Sequence, residues 1–430
     1  MRNLIYIFFY LSFSVTANAD NHLKYFLDSA FENNLRLNAE RKNKLSIKEN
    51  LGISRSEFLP SVSISSDQSS SQSTNKTDKS GASLSDSNLD TETNKISINQ
   101  KLFQGFKGYN SLKKSELEFK QADFKLKQIE QQTILDTITA YFDYIFKLKN
   151  EEFNLLNVNL FERQVETDNA RLQKGEITLT DLAQSESSLA GANAKLIKAK
   201  TEFLASKTSF ERVTMEKAPA SVNTNQKVNI QLPQSLGEAI STAKLNNTNL
   251  IIAKLDYEIS EKELKIEKAR LSPSASINYS KSENKDFSSS VDQVDEESVK
   301  ATITWPIIKG GENISSIKKS SLKRQKSLLL SEDAENKAIT QTTNAWAKYQ
   351  SSESVLLATE AQLKAAEIAN EGITLEYDSG NPRTILEVIQ SRSLLLDARI
   401  AHAKAEKDFI ISKIELAFQL GTLSLDLIEY

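Results

Sequence analysis

The chain has 430 residues, a formal net charge of −3 with Lys and Arg spread evenly, no cysteine and two histidines. This excludes a disulfide framework, thiol chemistry and a lipidated N-terminal cysteine. The even charge argues against a nucleic-acid surface, and His22 and His402 are too far apart in sequence to suggest a metal site or a histidine-based catalytic centre.

Residues 1–19 read as a signal peptide: a basic start at Arg2, an apolar core from Leu4 to Val15, and Ala17-Asn18-Ala19 before the cut. That core falls short of the roughly 20 apolar residues needed to span a bilayer. No later stretch comes nearer, so the mature chain is expected to be exported without a helical membrane anchor.

The remainder is written twice. "FLPSVSI" (Phe58 to Ile64) returns as "LSPSASI" (Leu271 to Ile277), and "GFKGYNSLKKS" (Gly105 to Ser115) as "GGENISSIKKS" (Gly310 to Ser320). "KTEFLASK" (Lys200 to Lys207) returns as "EKDFIISK" (Glu406 to Lys413), and "ENNLRL" (Glu32 to Leu37) pairs with "LNNTNL" (Leu245 to Leu250). The first repeat is placed at 20–214: a helix, a strand pair at about 60–104, and a long helical hairpin with its tip near 173–178. An Asn-rich, Pro-containing linker follows at 215–234. The second repeat, 235–421, has its strand pair at about 273–308 and its hairpin tip near 377–384. Residues 422–430 form a tail.

Neither Pro nor Gly occurs between Gly108 and Gly175, nor from Glu312 to Glu371. About 60 residues of continuous helix would be roughly 90 Å long, which suits a coiled coil or a helical tube. In "ILDTITAYFDYIFKL" the apolar residues Ile134, Ile138, Tyr141, Phe142 and Ile145 form one stripe to bury.

Period two marks the strands. Val62 and Ile64 share a face, as do Ile96, Ile98 and Leu102; Ala275, Ile277 and Tyr279 alternate with Ser and Asn. Val299, Ala301, Ile303, Trp305 and Ile307 make the longest run. Residues 69–90 and 280–297 are polar and read as flexible loops. Two accounts of the strands stand at this point: a small sheet packed on helices, or the polar-in, apolar-out alternation of an outer-membrane barrel. Phe58, Phe103 and Trp305 fall where strand meets helix, either as an aromatic belt or as core aromatics. A barrel needs chains to pool strands, because four cannot close and an open edge does not survive in lipid.

The whole plan resembles the TolC-type outer-membrane efflux proteins. "GNPRTILEVIQSRSLLLDARIAHAKAEKDFIISKIELAFQLGTL" (380–423) is similar to that family's C-terminal hairpin, and "KGEITLTDLAQSESSLAGANAKL" (174–196) to its partner. The resemblance implies a fold that is mostly α with a membrane β-barrel. Long α-helical hairpins form a periplasmic tube, and four strands per chain contribute to a shared twelve-stranded barrel in a homotrimer. It places the protein in the outer membrane of a Gram-negative bacterium.

The resemblance also implies a gate at the hairpin tips. The family's first constricting acid matches Glu387 and its second falls on Gln390; its arginine matches Arg383 and its tyrosine Tyr377. One residue more than the family pattern lies between Gly380 and Arg383. Asp181, with Gln184, takes the comparable place in the first hairpin. Glu387 and Asp181 also read as ordinary acids at helix starts, favourable there on electrostatic grounds. Gly175 and Gly380 give the turns their backbone freedom, with Pro382 at a first helical turn. The small residues of "LAQSESSLAGANA" (Leu182 to Ala194) suit either adaptor docking or tight helix packing.

The function implied is a passive export duct, recruited by a periplasmic adaptor (membrane fusion) protein and an inner-membrane transporter for efflux or type I secretion. Outer-membrane lipid would surround it. No cofactor, nucleic-acid partner or enzymatic activity is expected, and no phosphate-binding loop is present to energise transport. The alternative is a secreted or surface structural coiled-coil protein.

Overall fold

A computed structural model describes residues 22–219, 228, 230–288, 291–379 and 383–427. The signal-peptide reading, most of the central linker, Gly380 and Pro382 lie outside these residues. The elements repeat in kind, and three pairs of helices repeat in length. Helices α1 (His22–Asn33) and α2 (Leu35–Ser56) lead into strands β1 (Ser61–Ser73) and β2 (Ser87–Gln104), then α3 (Lys107–Gln173) and α4 (Leu179–Thr214). The second half gives α5 (Leu236–Asn246), α6 (Thr248–Ala269), β3 (Ser274–Ser288), β4 (Val291–Thr304), α7 (Glu312–Asp378) and α8 (Ile385–Leu420). α3 and α7 both have 67 residues, α4 and α8 both 36, and α2 and α6 both 22. A 3₁₀ turn, Leu425–Leu427, follows.

The chain divides into two compact units. The first comprises Arg41–Leu126 and Asn249–Glu335 and holds the sheet. Its four strands pair antiparallel in the order β1-β2-β3-β4. Register puts Val62, Ile98, Tyr279 and Val299 in one row; the next row outward holds Ile64 and Ile96 with Lys281 and Glu297, which bound the apolar part of this face. This face is apolar yet open: Val62 is 63% exposed, Ile64 78%, Val299 68% and Ile303 78%. The opposite face carries Ser, Thr, Asn and Lys, with the acids Asp67 and Glu296.

Three features of this unit differ from the sequence expectation. β1 runs through the serines to Ser73, β3 reaches Ser288 and β4 starts at Val291, so nearly all of 280–297 and the two ends of 69–90 are paired strand rather than loop. Hydroxyls, amides and charges pair across strands there: Thr93 Oγ1 donates to Asn284 Oδ1 at 2.9 Å, and Ser280 and Ser298 lie 3.0 Å apart. Backbone ladders need no apolar face when both faces meet water. Second, β4 stops at Thr304, because Pro306 has no N–H to offer a ladder. Trp305 instead donates its indole N–H to the Leu271 carbonyl at 3.1 Å, and Ile307 lies beyond the strand, exposed. Third, a bulge between Lys101 and Phe103 removes Leu102 from the alternation, and Phe103 joins the apolar face opposite Ala275.

At the corner after β2, Gly105 has φ +60°, and a Cβ there would lie 2.4 Å from Ser272 Cβ. Only glycine fits that close approach. The helices of the unit are joined by polar links: Ser54 and Ser115 hydroxyls at 2.7 Å, Lys44 to Asp123 at 2.6 Å, and Lys114 to Glu263 at 2.9 Å.

The second unit takes the described parts of Met1–Glu40, Lys127–Thr248 and Asn336–Tyr430. All five residues of the α3 stripe are buried in a cluster with Leu23, Phe26, Phe210 and Ile414. Burial of such side chains, at about 1.5–3 kcal/mol each, holds the helices together. A second cluster, nearer the helix turns, contains Val158, Phe161, Leu196, Tyr377, Ile385 and Val388. α8 ends at Gly421 (φ +72°), whose N–H reaches the Ala417 and Phe418 carbonyls and whose missing Cβ would stand 2.0 Å from the Asn246 carbonyl oxygen. Among the described residues no helix is long and apolar enough to cross a membrane.

Candidate channel gate at the helix turns

α3 closes on a Schellman turn. Gly175 (φ +73°) donates to the Leu172 carbonyl at 2.9 Å, and the Glu176 N–H reaches the Arg171 carbonyl at 3.0 Å. Thr178 then caps α4. Its Oγ1 accepts the Asp181 N–H at 3.3 Å, and the Asp181 carboxylate accepts the Thr178 N–H at 2.9 Å. α8 begins in the same way. Thr384 Oγ1 accepts the Glu387 N–H at 3.3 Å, and Glu387 Oε2 accepts the Thr384 N–H at 2.7 Å. Asp181 and Glu387 are therefore equivalent capping acids of the two repeats. The Thr178 backbone N–H, helped by its hydroxyl, holds the Asp181 carboxyl below its ordinary range. The Thr384 N–H, then Arg383, does the same for Glu387.

Arg383 ties the end of α7 to the start of α8. Its Nε donates to Glu376 Oε2 at 2.6 Å, and its terminal nitrogen to Glu387 Oε1 at 3.0 Å. Tyr377 is not part of this group: it is 8% exposed, packed in the second cluster, and the Arg171 guanidinium lies 4.6 Å from its ring centroid. Burial first, and the nearby Asp168 charge second, raise its phenol above its ordinary range. Gln390 is exposed on α8.

The structure adds a buried polar chain that the motif comparison does not identify. Asp168 is fully buried, accepting from Ser185 Oγ at 2.6 Å and Gln164 Nε2 at 2.9 Å. Gln164 Oε1 in turn accepts from Arg392 at 3.1 Å, linking α3 to α8 as well as to α4. Burial pushes the Arg392 guanidinium below its ordinary range. A signal was present: buried positions Val158, Phe161, Gln164 and Asp168 follow the three–four spacing of a helix stripe. Polar residues on such a stripe mark a network rather than a solvated face. Among the described residues no cluster of His, Asp or Glu could hold a metal ion.

An antiparallel sheet with an open apolar face, and paired helix turns bearing acids, define a channel-forming protein of the outer membrane. The chain belongs to the outer membrane efflux protein family, whose model matches residues 26–214 and 239–422. It is 26% identical over 410 residues to the outer membrane efflux protein BepC of Brucella suis biovar 1 (strain 1330), covering 93% of this chain and 85% of that protein. Against the outer membrane protein TolC of Vibrio cholerae serotype O1 (strain ATCC 39315 / El Tor Inaba N16961) the identity is 23% over 339 residues, with 76% of each chain covered. The fold matches the Campylobacter jejuni CmeC outer membrane channel with a TM-score of 0.81 at 15% identity, over 94% of this chain and 86% of that one. The protein is thus an outer-membrane protein with the mostly helical, four-strands-per-chain fold of TolC-type channels, a family of channels and not of enzymes.

Proposed function

We propose that the chain is a passive export duct that works as a homotrimer, without chemistry of its own. Three copies supply four strands each to one closed twelve-stranded barrel. A periplasmic adaptor and an inner-membrane transporter recruit and energise it, in tripartite efflux or type I secretion. One observation carries this reading: β1 and β4 are the outer strands of the sheet, and its apolar face stands open. Unpaired edges are not stable in lipid. β1 and β4 run antiparallel to each other, so β4 of one copy can pair with β1 of the next. A soluble coiled-coil filament would have no use for that face.

The helix turns form the gate. Glu387 repeated around the axis gives an acidic constriction, with Gln390 beside it uncharged and Asp181 as the secondary acid. Arg383, anchored on Glu376 and Glu387, stiffens the turn. Tyr377 with Arg171 holds the packing beneath it. Gly175, with its left-handed backbone, shapes the first tip presented to the adaptor. Native mass measurement in detergent, followed by planar-bilayer recording, tests the assembly. Three copies and a conducting pore are expected; a stable folded monomer would refute the strand-pooling argument.

A further inference from the structure

Resting on the reading of the chain as a barrel-forming duct, we propose that the helix-side part of the barrel wall attracts anions and favours carboxylate- or phosphate-bearing small solutes as cargo. The apolar face of the sheet turns to lipid, so the other face lines the pore. Register assigns that face row by row. Gln104, Ser274 and Thr304 lie nearest the helices, followed by Lys101, Ser276 and Thr302; then come Ser61, Asn99, Asn278 and Lys300. Ser63, Ser97, Ser280 and Ser298 follow, then Ser65, Lys95, Ser282 and Glu296.

Over these rows the pore face holds three lysines and one carboxylate, Glu296, in the row of Lys95; the next row outward, Asp67, Thr93, Asn284 and Val294, adds a second carboxylate. Lys101 and Lys300 stand in rows that hold no carboxylate, on the helix side of both Glu296 and Asp67. Both are exposed, and neither has a carboxylate at ion-pair distance among the described residues. The remaining residues are hydroxyls and amides, which donate readily to anions.

At the helix end of the face a cleft of about 620 Å³ contains Lys101, Lys107, Arg270 and Lys309. Arg270 is engaged by Glu267 at 3.0 Å, and Lys309 by Glu312 at 3.6 Å, so Lys101 and Lys107 supply its uncompensated charge. In a trimer these lysines recur three times around the wall. The acidic tips have the opposite sign, so the two features act on opposite ions.

Sodium tripolyphosphate and spermine, added in turn to trimers in planar bilayers, separate the two. Tripolyphosphate is expected to block the current, and the Lys101→Gln, Lys300→Gln double variant to raise its half-blocking concentration about tenfold. The wild-type block should fade in 1 M salt, where screening shortens to about 3 Å. Glu387→Ala should leave tripolyphosphate block unchanged while weakening spermine block. Equal tripolyphosphate block in wild type and the lysine variant, or none in a conducting wild type, overturns the assignment of the wall. Trimers that never conduct refute the duct reading itself, and the proposal with it.

Discussion

Ser185→Ala removes one donor from the most deeply buried carboxylate near the helix turns. Ser185 and Asp168 are both fully buried, and their hydrogen bond is short at 2.6 Å. A hydrogen bond to a charged group contributes about 1.5–3 kcal/mol, and no water replaces the lost donor at a buried site. The alanine leaves almost no cavity, so the loss is expected near 2 kcal/mol, about thirtyfold in the local opening equilibrium at 1.36 kcal/mol per decade. Arg392→Met is the contrasting variant. It removes a half-buried cation that donates to the neutral Gln164 oxygen and lies near the Asp168 and Asp378 charges, but it leaves both hydrogen bonds to Asp168 in place. Hydrogen exchange read by mass spectrometry on detergent trimers resolves the two. Peptides covering 160–172 and 180–190 should exchange about thirtyfold faster in Ser185→Ala and by a smaller factor in Arg392→Met. Wild-type exchange in Ser185→Ala, or a larger effect from Arg392→Met, would refute the view that the Asp168 contacts hold α3 to α4.

Glu387→Ala is expected to lower cation selectivity in bilayer recordings, because a ring of carboxylates favours cations; unchanged selectivity moves the constriction to Asp181. Arg383→Ser should raise conductance by freeing Glu376 and Glu387 from their shared partner; an unchanged conductance removes Arg383 from the closed state. Gly421→Ala should lower the thermal midpoint sharply, since its Cβ would meet the Asn246 carbonyl at 2.0 Å and the left-handed backbone costs a further 1–2 kcal/mol or so. A midpoint equal to that of wild type would contradict the close approach. An epitope inserted near Gly81, between β1 and β2, should be reached by antibody on intact cells; labelling only after the outer membrane is breached would invert the topology.

The duplicated plan was legible because it rests on strong local signals: Pro–Gly scarcity, two-residue alternation, and a stripe whose members are all buried. The strand ends were less so. Ser65–Ser73 and Lys281–Ser288 have the composition of loops, and what makes them strands is pairing with a distant partner, which composition does not report. The residues proposed for the gate were visible as motif positions, but their local bonding was not. Thr178 and Thr384 turn Asp181 and Glu387 into capping partners, and Tyr377 faces Arg171 rather than Arg383. Asp168 escaped notice because a carboxylate on a long charged helix looks solvated until the neighbouring helix is in place.

The equal element lengths of the two halves act as a ruler. Each residue of helix advances about 1.5 Å and turns about 100°. Deleting one residue from α3 alone would swing everything beyond it by that angle, carrying Gln164 and Asp168 off the side that meets α4 and α8. It would also leave the 67-residue α7 one step longer than its counterpart. Compensation needs both halves to change together, by a number of residues close to whole turns, such as seven or eleven. Lineages of this fold should therefore differ in reach by quantised, doubled steps, and single-residue drift in one long helix should be purged as surely as a charge placed in the core.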